Sequence, residues 1–227
     1  MSNEPVVPSQ GWVFVHLFAR PTPMVDAEAV VAATKELAAA DHHLVPVSVI
    51  GHKADACFMV YGPDLKVIRR FQNALRAAGL EIVDSYISIS EINEYATHLD
   101  DEGKRVRLYP EFPPAGKLAW CFYPMSKRRQ GDANWYTQPL EERDRMMRGH
   151  GVSGRKFAGR IVQMITASTG LDDWEWGVTL FGQHVDDLKD VVYTMRFDEA
   201  SALFGEFGAF YTGYVCTADE LAAELAQ

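Results

Sequence analysis

Residues 11–89 alternate between strand-like and helix-like patterns in an order that few folds accommodate. The strand-like runs are rich in aromatic and β-branched residues, whereas two longer stretches carry apolar residues at helical spacing. These patterns predict strands over residues 11–18, 44–50, 56–61 and 81–89 and helices over residues 26–40 and 63–78. The order β-α-β-β-α-β is typical of a ferredoxin-like unit, in which two helices cover one face of an antiparallel sheet.

The second half of the chain repeats this order. It predicts strands over residues 118–123, 160–168, 174–181 and 209–215, helices over 140–148 and 185–195, and a short helical tail over 218–226. A local similarity supports duplication, because an apolar run ending in glycine precedes the tripeptide Asp-Leu-Lys both at 58–66 and at 178–189. We therefore expect two copies of the same unit.

A ferredoxin-like sheet leaves one face bare, and two such units can cover each other's bare faces. The predicted fold is α+β, with two ferredoxin-like units forming a dimeric α+β barrel within one chain. The expected division is an N-terminal half over 1–100, a polar connector with several prolines over 101–117, and a C-terminal half over 118–227. A cavity in or beside the barrel is the expected ligand site.

Charge and composition narrow the functional classes. A net charge of -9 argues against nucleic acid as a partner, because binding phosphates needs a basic face. No apolar run approaches the about 20 residues that cross a membrane, and the N-terminus lacks a secretory pattern, so we expect a cytoplasmic protein. Cys57, Cys121 and Cys216 are far apart and odd in number, which favours buried free thiols over a disulfide or a zinc site.

His150 follows a predicted helix and lies between Gly149 and Gly151. One interpretation is a histidine at a helix C-terminus, favoured by the helix dipole, with Gly151 as the cap residue. The other is a metal or haem ligand, since a neutral imidazole nitrogen suits both and the glycines allow a large planar group to approach. No second histidine lies nearby to build a zinc site, which moves the ligand interpretation toward haem.

Tyr123 ends a predicted strand and precedes Pro124. It is either a packed tyrosine with a wet hydroxyl or a redox-active phenol, and spacing does not choose between them. Basic residues follow it at 127–129 and precede the strand at Arg105 and Arg107. Such runs are usually solvated loops; if they flank the cavity, they favour an anionic small molecule as the ligand. Taken singly, Met125 and Gln163 are ordinary core or strand residues.

Spaced motifs in the second half resemble the chlorite dismutase-like superfamily, and most of all its coproheme decarboxylase branch. The motif resemblance covers roughly residues 105–213, whereas residues 1–100 match mainly in element order. The motifs are Tyr-Pro-Met-Ser-Lys at 123–127, Asn-Trp-Tyr at 134–136, Met-Met at 146–147, His-Gly at 150–151, Gly-Arg at 154–155, Gln163, Asp-Asp at 172–173, Glu-Trp-Gly-Val at 175–178, Met-Arg-Phe-Asp-Glu at 195–199, Ser201 and Glu-Phe-Gly at 206–208.

This resemblance implies a decarboxylase that uses hydrogen peroxide to convert iron coproporphyrin III (coproheme) to haem b through a tyrosyl radical. Coproheme would be both substrate and redox cofactor, in the final step of coproporphyrin-dependent haem biosynthesis. The resemblance also implies a homopentamer and a coproporphyrin ferrochelatase as the protein that supplies coproheme. The alternatives are a haem-binding carrier or interaction module without turnover, and a chlorite dismutase.

Matched position by position, the resemblance makes His150 the iron ligand and Tyr123 the residue that becomes a radical, so that the C-terminal half carries the haem site. Gln163 stands where chlorite-degrading enzymes carry a distal arginine, which argues against chlorite dismutation. For the propionate contact at Arg107, Arg105 is the alternative. The implied cofactor-binding residues are Lys127, Ser201, Arg107, Gln163, Met125 and Trp176.

Overall fold

The first half of the chain forms a four-stranded antiparallel sheet with two helices on one face. A computed structural model describes residues 4–97, 99–131 and 133–227. The strands pair in the order β2-β3-β1-β4, as the ferredoxin-like prediction requires. The elements are β1 (Val13–Pro21), α1 (Ala27–Ala39), β2 (His43–Ile50), β3 (Ala56–Gly62), α2 (Leu65–Ala77) and β4 (Leu80–Ile89).

Aspartates begin both helices of this unit. The Asp26 carboxylate accepts a hydrogen bond from the backbone N–H of Ala29, and Asp64 accepts one from Lys66. Each side chain thereby satisfies a donor that the first helical turn leaves without a partner.

The second half repeats the arrangement, with additional short elements around its helices. After α3 (Asp101–Leu108), its main strands pair in the order β11-β5-β9-β8, the same order as in the first unit. The elements are β5 (Ala119–Lys127), β6 (Arg129–Gln130), β7 (Ala133–Asn134), a 3-10 turn (Trp135–Thr137), α4 (Leu140–Arg155), β8 (Ile161–Ala167), β9 (Trp176–Gly182), α5 (Val185–Met195), α6 (Glu199–Phe204), β10 (Gly205–Phe207), β11 (Tyr211–Val215) and α7 (Ala218–Leu225).

The two sheets join into a closed barrel, which confirms the predicted α+β fold. Strand β11 pairs with β2, β4 pairs with β8, and β9 pairs back with β5. The β4–β8 joint has one backbone pair, between Ile89 and Ala167, and side chains complete it. Ser88 Oγ donates to Thr166 Oγ1 at 2.7 Å, and the Asp172 carboxylate accepts from the backbone N–H of Ile87 at 2.9 Å.

Successive side chains of each strand point to opposite faces of the sheet and therefore pack in different cores. In β1, Phe14 and Phe18 belong to an aromatic cluster inside the barrel, whereas Val15 and Leu17 pack outward. The outward residues of the first unit meet α1, α2 and α7, and those of the second unit meet α5. Because both faces are covered, strands such as β3 are buried along their whole length.

Three expectations need correction. Strand β5 does not end at Tyr123 but runs through Pro124, which needs no donor partner and whose carbonyl accepts from Gly208 N–H at 2.8 Å. The connector contains helix α3, begun by the Asp100 side chain, which accepts from the backbone N–H of Gly103. Cys57 and Cys121 are buried free thiols as predicted, but Cys216 is only half-buried.

Within the described ranges, no helix combines the length and apolar character needed to cross a bilayer.

Gly213 offers a test of the barrel joint, because it lies in β11 between Val49 of β2 and Trp120 of β5. A Cβ at this position would overlap the backbone carbonyl oxygen of Ser48. We expect Gly213→Ala to lower the free energy of unfolding by about 1–3 kcal/mol, the usual cost of overpacking, measured by chemical denaturation.

The matched control is Gly154→Ala near the end of α4, where an added Cβ meets no atom within 4 Å. Alanine favours helix over glycine by up to about 1 kcal/mol, so this variant should be as stable as the wild type or more stable. Equal effects of the two substitutions would contradict the close approach at the joint.

Candidate functional site

A cavity of about 470 Å³ lies on the outer face of the second sheet, on the side opposite the barrel interior. Its volume falls in the range of about 300–1,000 Å³ that is typical of small-molecule sites. Strands β5, β8 and β9, helices α4, α5 and α6 and the segment 91–95 all contribute to its wall. Seven of the residues predicted for the site line this cavity: Tyr123, Met125, Lys127, His150, Gln163, Trp176 and Ser201.

The alternation of the strands directs these side chains into the cavity. In β5, Trp120 and Phe122 belong to the core inside the barrel, so Tyr123 and Met125 face the other way. In β8, Met164 packs inside the barrel and its neighbour Gln163 lines the cavity. The barrel core thus fixes which residues are available to a ligand.

Tyr123 packs its ring against two phenylalanines and lines the cavity. The ring stacks on Phe210 with the centroids 4.4 Å apart and meets Phe207 edge-on at 5.7 Å. Burial, reinforced by the neighbouring Cys121, raises the pKa of the phenol. No residue in the described part of the chain makes a hydrogen bond with this hydroxyl, so Tyr123 presents a neutral O–H at the cavity wall.

His150 lies inside helix α4, which continues to Arg155. The helix C-terminus expected at His150 and the cap expected at Gly151 are therefore wrong, because both flanking glycines adopt helical conformation. His150 Nδ1 lies 3.1 Å from the Asp198 carboxylate and 3.4 Å from Ser201 Oγ. These hydrogen bonds occupy Nδ1 and leave Nε2 for a ligand.

Asp198 connects His150 to the start of α6. Its other oxygen accepts from the backbone N–H of Ser201 at 3.0 Å, which makes Asp198 the N-cap of this helix. Burial alone would raise the pKa of Asp198, but the hydrogen bonds from His150 and Ser201 outweigh it and hold the pKa below its usual value. The carboxylate is therefore ionised and favours the tautomer with a proton on Nδ1.

The residues present fit a haem-type group. A histidine that presents one ring nitrogen, with the other held by a buried carboxylate, is the arrangement that orients imidazole ligands toward iron. Among residues 4–97, 99–131 and 133–227, no group of three or more histidines, cysteines or carboxylates could hold a bare metal ion.

Lys127 is a buried cation beside the same cavity. Its ammonium donates to the Ala200 carbonyl at 3.1 Å and lies 4.5 Å from the centre of the Trp135 ring. Burial lowers its pKa to about 8, although the charges of Asp198 and Glu175 act in the opposite direction. The cavity therefore holds a cation with few partners, which suits an anionic ligand.

Comparison with known proteins assigns the family. The model of the chlorite dismutase family matches residues 24–216. The chain belongs to this family. A protein from Thermus thermophilus, described as a novel haem-binding protein, is 35% identical with a TM-score of 0.85, and the match covers 100% of this chain and 99% of that one.

Solved chlorite dismutases from Candidatus Nitrospira defluvii share the fold at lower identity. A variant of that enzyme is 17% identical with a TM-score of 0.76, and the match covers 97% of this chain and 98% of the other. The complex of the enzyme with imidazole also reaches 17% identity and a TM-score of 0.76, with 97% of each chain covered. At this distance the likeness shows the fold alone.

In this member of the chlorite dismutase family, the structure does not bring Arg107 to the cavity where its propionate contact was predicted. Helix α3 forms where the sequence suggested a connector, and it leaves Arg107 exposed and outside the set of residues that line the cavity. The alternative, Arg105, is also exposed and pairs with Glu102 through Nε and Nη2. Arg107 influences the site indirectly, because its charge opposes the raised pKa that burial gives to Glu91 at the cavity rim.

Two cations that line the cavity were missed by the sequence analysis, Arg143 and Arg196. A signal for Arg143 was present: Arg143, Met147 and His150 follow the i, i+4, i+7 spacing of one helix face. This spacing was overlooked because the predicted helix ended at residue 148, before His150. Arg196 directly follows α5, one turn after the cavity residue Val192.

The burial of Lys127 predicts a gain in stability when its charge is removed. We expect Lys127→Met to raise the free energy of unfolding of the unliganded protein at pH 7 by on the order of 1 kcal/mol, because the lowered pKa means that the folded state disfavours the ammonium. Urea denaturation of both proteins measures the difference.

The stability difference between Lys127→Met and the wild type should depend on pH, because the folded state lowers the pKa of Lys127. Between pH about 8 and the ordinary lysine pKa of 10.5, the unfolded wild type binds more protons than the folded one, so wild-type stability rises with pH. The advantage of Lys127→Met should therefore be largest below pH 8 and shrink above it. An advantage that stays constant from pH 7 to pH 10 would contradict the shifted pKa.

Proposed function

We propose that this protein is a coproheme decarboxylase, which uses hydrogen peroxide to convert two propionates of iron coproporphyrin III to vinyl groups and yields haem b. The observation that carries the proposal is the single cavity shared by the free phenol of Tyr123 and the His150 imidazole, whose Nδ1 is held by Asp198. The likeness to a protein described as haem-binding supports a tetrapyrrole as the ligand.

In this proposal the Nε2 atom of His150 would hold the iron, and Asp198 would keep the imidazole in the required tautomer through its contact with Nδ1. When bound, the iron centre supplies the oxidising power that it draws from peroxide. Each decarboxylation converts a propionic acid group and one hydrogen peroxide to a vinyl group, carbon dioxide and two waters. The propionate side chain thereby loses two electrons, which peroxide accepts.

Tyr123 is the proposed catalytic residue, because its raised pKa keeps the phenol protonated. It can therefore give up a proton together with an electron, and the resulting tyrosyl radical can take a hydrogen atom from the β-carbon of a propionate. The packed ring restricts the position of the oxygen, and hydrogen transfer requires reacting heavy atoms at about 3–3.5 Å. Carbon dioxide then leaves as the substrate radical gives up the second electron, and the two electrons together reduce one hydrogen peroxide to two waters.

The remaining cavity residues have proposed binding roles. Lys127 and Ser201 contact propionates, the first through charge and the second through its hydroxyl. Met125 and Trp176 are cross-strand partners on β5 and β9, and their side chains form part of the wall that the porphyrin would meet. Coproporphyrin ferrochelatase as the supplier of coproheme, and a homopentameric assembly, belong to the same proposal by family resemblance.

Gln163 bears on the chlorite dismutase alternative. It lines the cavity with a neutral amide at the position where the resemblance places an arginine in chlorite-degrading enzymes. A neutral amide attracts an oxychlorine anion less strongly than a guanidinium does. Oxygen release from chlorite tests this alternative, and peroxide treatment that leaves bound coproheme intact would favour a haem carrier.

Tyr123→Phe tests the radical role. We expect this variant to bind coproheme nearly as tightly as the wild type but to lose decarboxylation by about 100-fold or more, equivalent to at least about 3 kcal/mol in the barrier. Mass spectrometry of the porphyrin after peroxide titration measures it. The control is Tyr136→Phe, which removes another, more exposed phenol hydroxyl from the cavity wall and should retain turnover. Normal turnover by Tyr123→Phe would contradict the radical role of Tyr123.

His150→Ala and Asp198→Asn test the iron ligand. The first should weaken coproheme binding and shift the Soret band, because the protein nitrogen is lost. Asp198→Asn keeps a residue type that caps helix α6 well but removes the negative charge beside His150 Nδ1. Loss of such a partner of a metal-binding histidine typically lowers affinity by about 10- to 100-fold, and we expect coproheme binding to weaken by a similar factor. A Soret spectrum unchanged in His150→Ala would remove this residue as the ligand.

A further inference from the structure

Arg143 extends from α4 to the rim of the cavity, where it meets the segment that follows β4. Its Nη1 donates to the Glu94 carboxylate at 2.6 Å and lies 3.4 Å from the Tyr95 hydroxyl. The side chain is 19% exposed, against 47% for Glu94. Arg143, Glu94 and Tyr95 all line the cavity.

The contacts of Arg143 leave one edge of its guanidinium without partners. Nε is buried and has no hydrogen-bond partner among the residues that the structure describes, and the contacts of the group with those residues go through Nη1. The unused edge, Nε with Nη2, is the edge that grips a carboxylate in a two-point contact. Arg105 uses the same pair of nitrogens on Glu102, at 2.8 and 2.7 Å.

An unpartnered buried donor destabilises the folded protein, and the cost is larger for a charged group. Arg143 lines the cavity, and because its Nε has almost no accessible surface in the unliganded protein, a ligand reaches this donor only when the side chain turns toward the cavity. The guanidinium fork matches a carboxylate better than it matches a neutral oxygen, because both hydrogen bonds are assisted by charge. The ligand group indicated by the geometry is therefore a carboxylate.

We propose that the Nε and Nη2 edge of Arg143 is a carboxylate-binding subsite of this cavity, and that Glu94 competes with the ligand for the charge of the same guanidinium. This inference rests on the proposed function, in which the ligand is a tetrapyrrole with several propionates. It adds Arg143, which extends from α4 to the cavity rim formed by residues 91–95, as a residue that determines ligand specificity. In the unliganded protein, the Glu94 carboxylate pairs with the guanidinium through Nη1 alone, in place of the carboxylate of the ligand.

The competition predicts effects of opposite sign. Arg143→Gln should weaken coproheme binding by about 10- to 100-fold, as expected for loss of a charge-assisted pair of hydrogen bonds. Glu94→Gln should tighten binding by about threefold or more, because it removes a like charge and frees the guanidinium. Arg143→Lys, which keeps the charge but loses the fork, should weaken binding by an intermediate factor.

Spectroscopic titration of the full chain with ferric coproheme, without peroxide, measures these constants. The tetramethyl ester of iron coproporphyrin is the matched ligand, because it keeps the ring and lacks the carboxylates. Wild type, Arg143→Gln and Glu94→Gln should bind this ester within about twofold of one another, in contrast to the effects of about threefold to 100-fold expected for the acid. Arg148→Gln is the control variant on α4: Arg148 is 67% exposed, pairs with Asp144 and should leave both affinities unchanged.

The outcomes separate the two proposals. If wild type binds coproheme and Arg143→Gln binds it equally well, the subsite is overturned while the proposed function stands. If Glu94→Gln weakens binding, or if both variants lose affinity for acid and ester alike, the ion pair has a structural role and the subsite is also overturned. If wild type does not bind coproheme, both proposals fail.

Discussion

The alternation of side chains along β5 is the constraint on which the rest of the site depends. Trp120 and Phe122 are almost completely buried inside the barrel, where they interlock with aromatic residues from both halves. A slip of one residue would move these rings to the outer face and drive Tyr123 into the barrel. The free energy that closes the barrel therefore also determines which phenol faces the cavity, so that the stability of the fold and the placement of the candidate catalytic residue have a common origin.

The carboxylate of Asp198 has a similar double role beside His150. It begins helix α6 by accepting from Ser201, and it holds His150 of helix α4. A short helix is weak by itself, since few of its residues make intrahelical bonds. Because the same side chain starts α6 and orients the imidazole, any ligand on His150 is coupled to the order of α6. Lys127 joins this arrangement by donating to Ala200 within α6.

Much of the fold could be predicted from the sequence because strands and long helices carry periodic patterns. The element order of both halves, the duplication and the barrel all followed from these patterns. The failures occurred where local preference was overruled by packing: Gly149 and Gly151 suggested a helix end, but α4 continues past His150. Motif matching carries no information on the direction of α3, which leaves Arg107 outside the cavity lining, so its propionate contact stays a prediction. Arg143 was missed because the predicted helix ended at residue 148, so the spacing that places Arg143, Met147 and His150 on one helix face was not recognised.

The unliganded cavity combines groups that the folded protein satisfies poorly. Lys127 is buried with a lowered pKa, and Nε of Arg143 is buried without a partner among the described residues. In a chain of net charge -9, a general attraction for anions is absent, so these two cations must act at short range. A ligand that brings carboxylates to both would relieve an existing cost as well as form new contacts. Recognition of a polyanionic ring then depends on where the carboxylates lie, since a ligand with the same charge in another pattern would leave one cation unsatisfied.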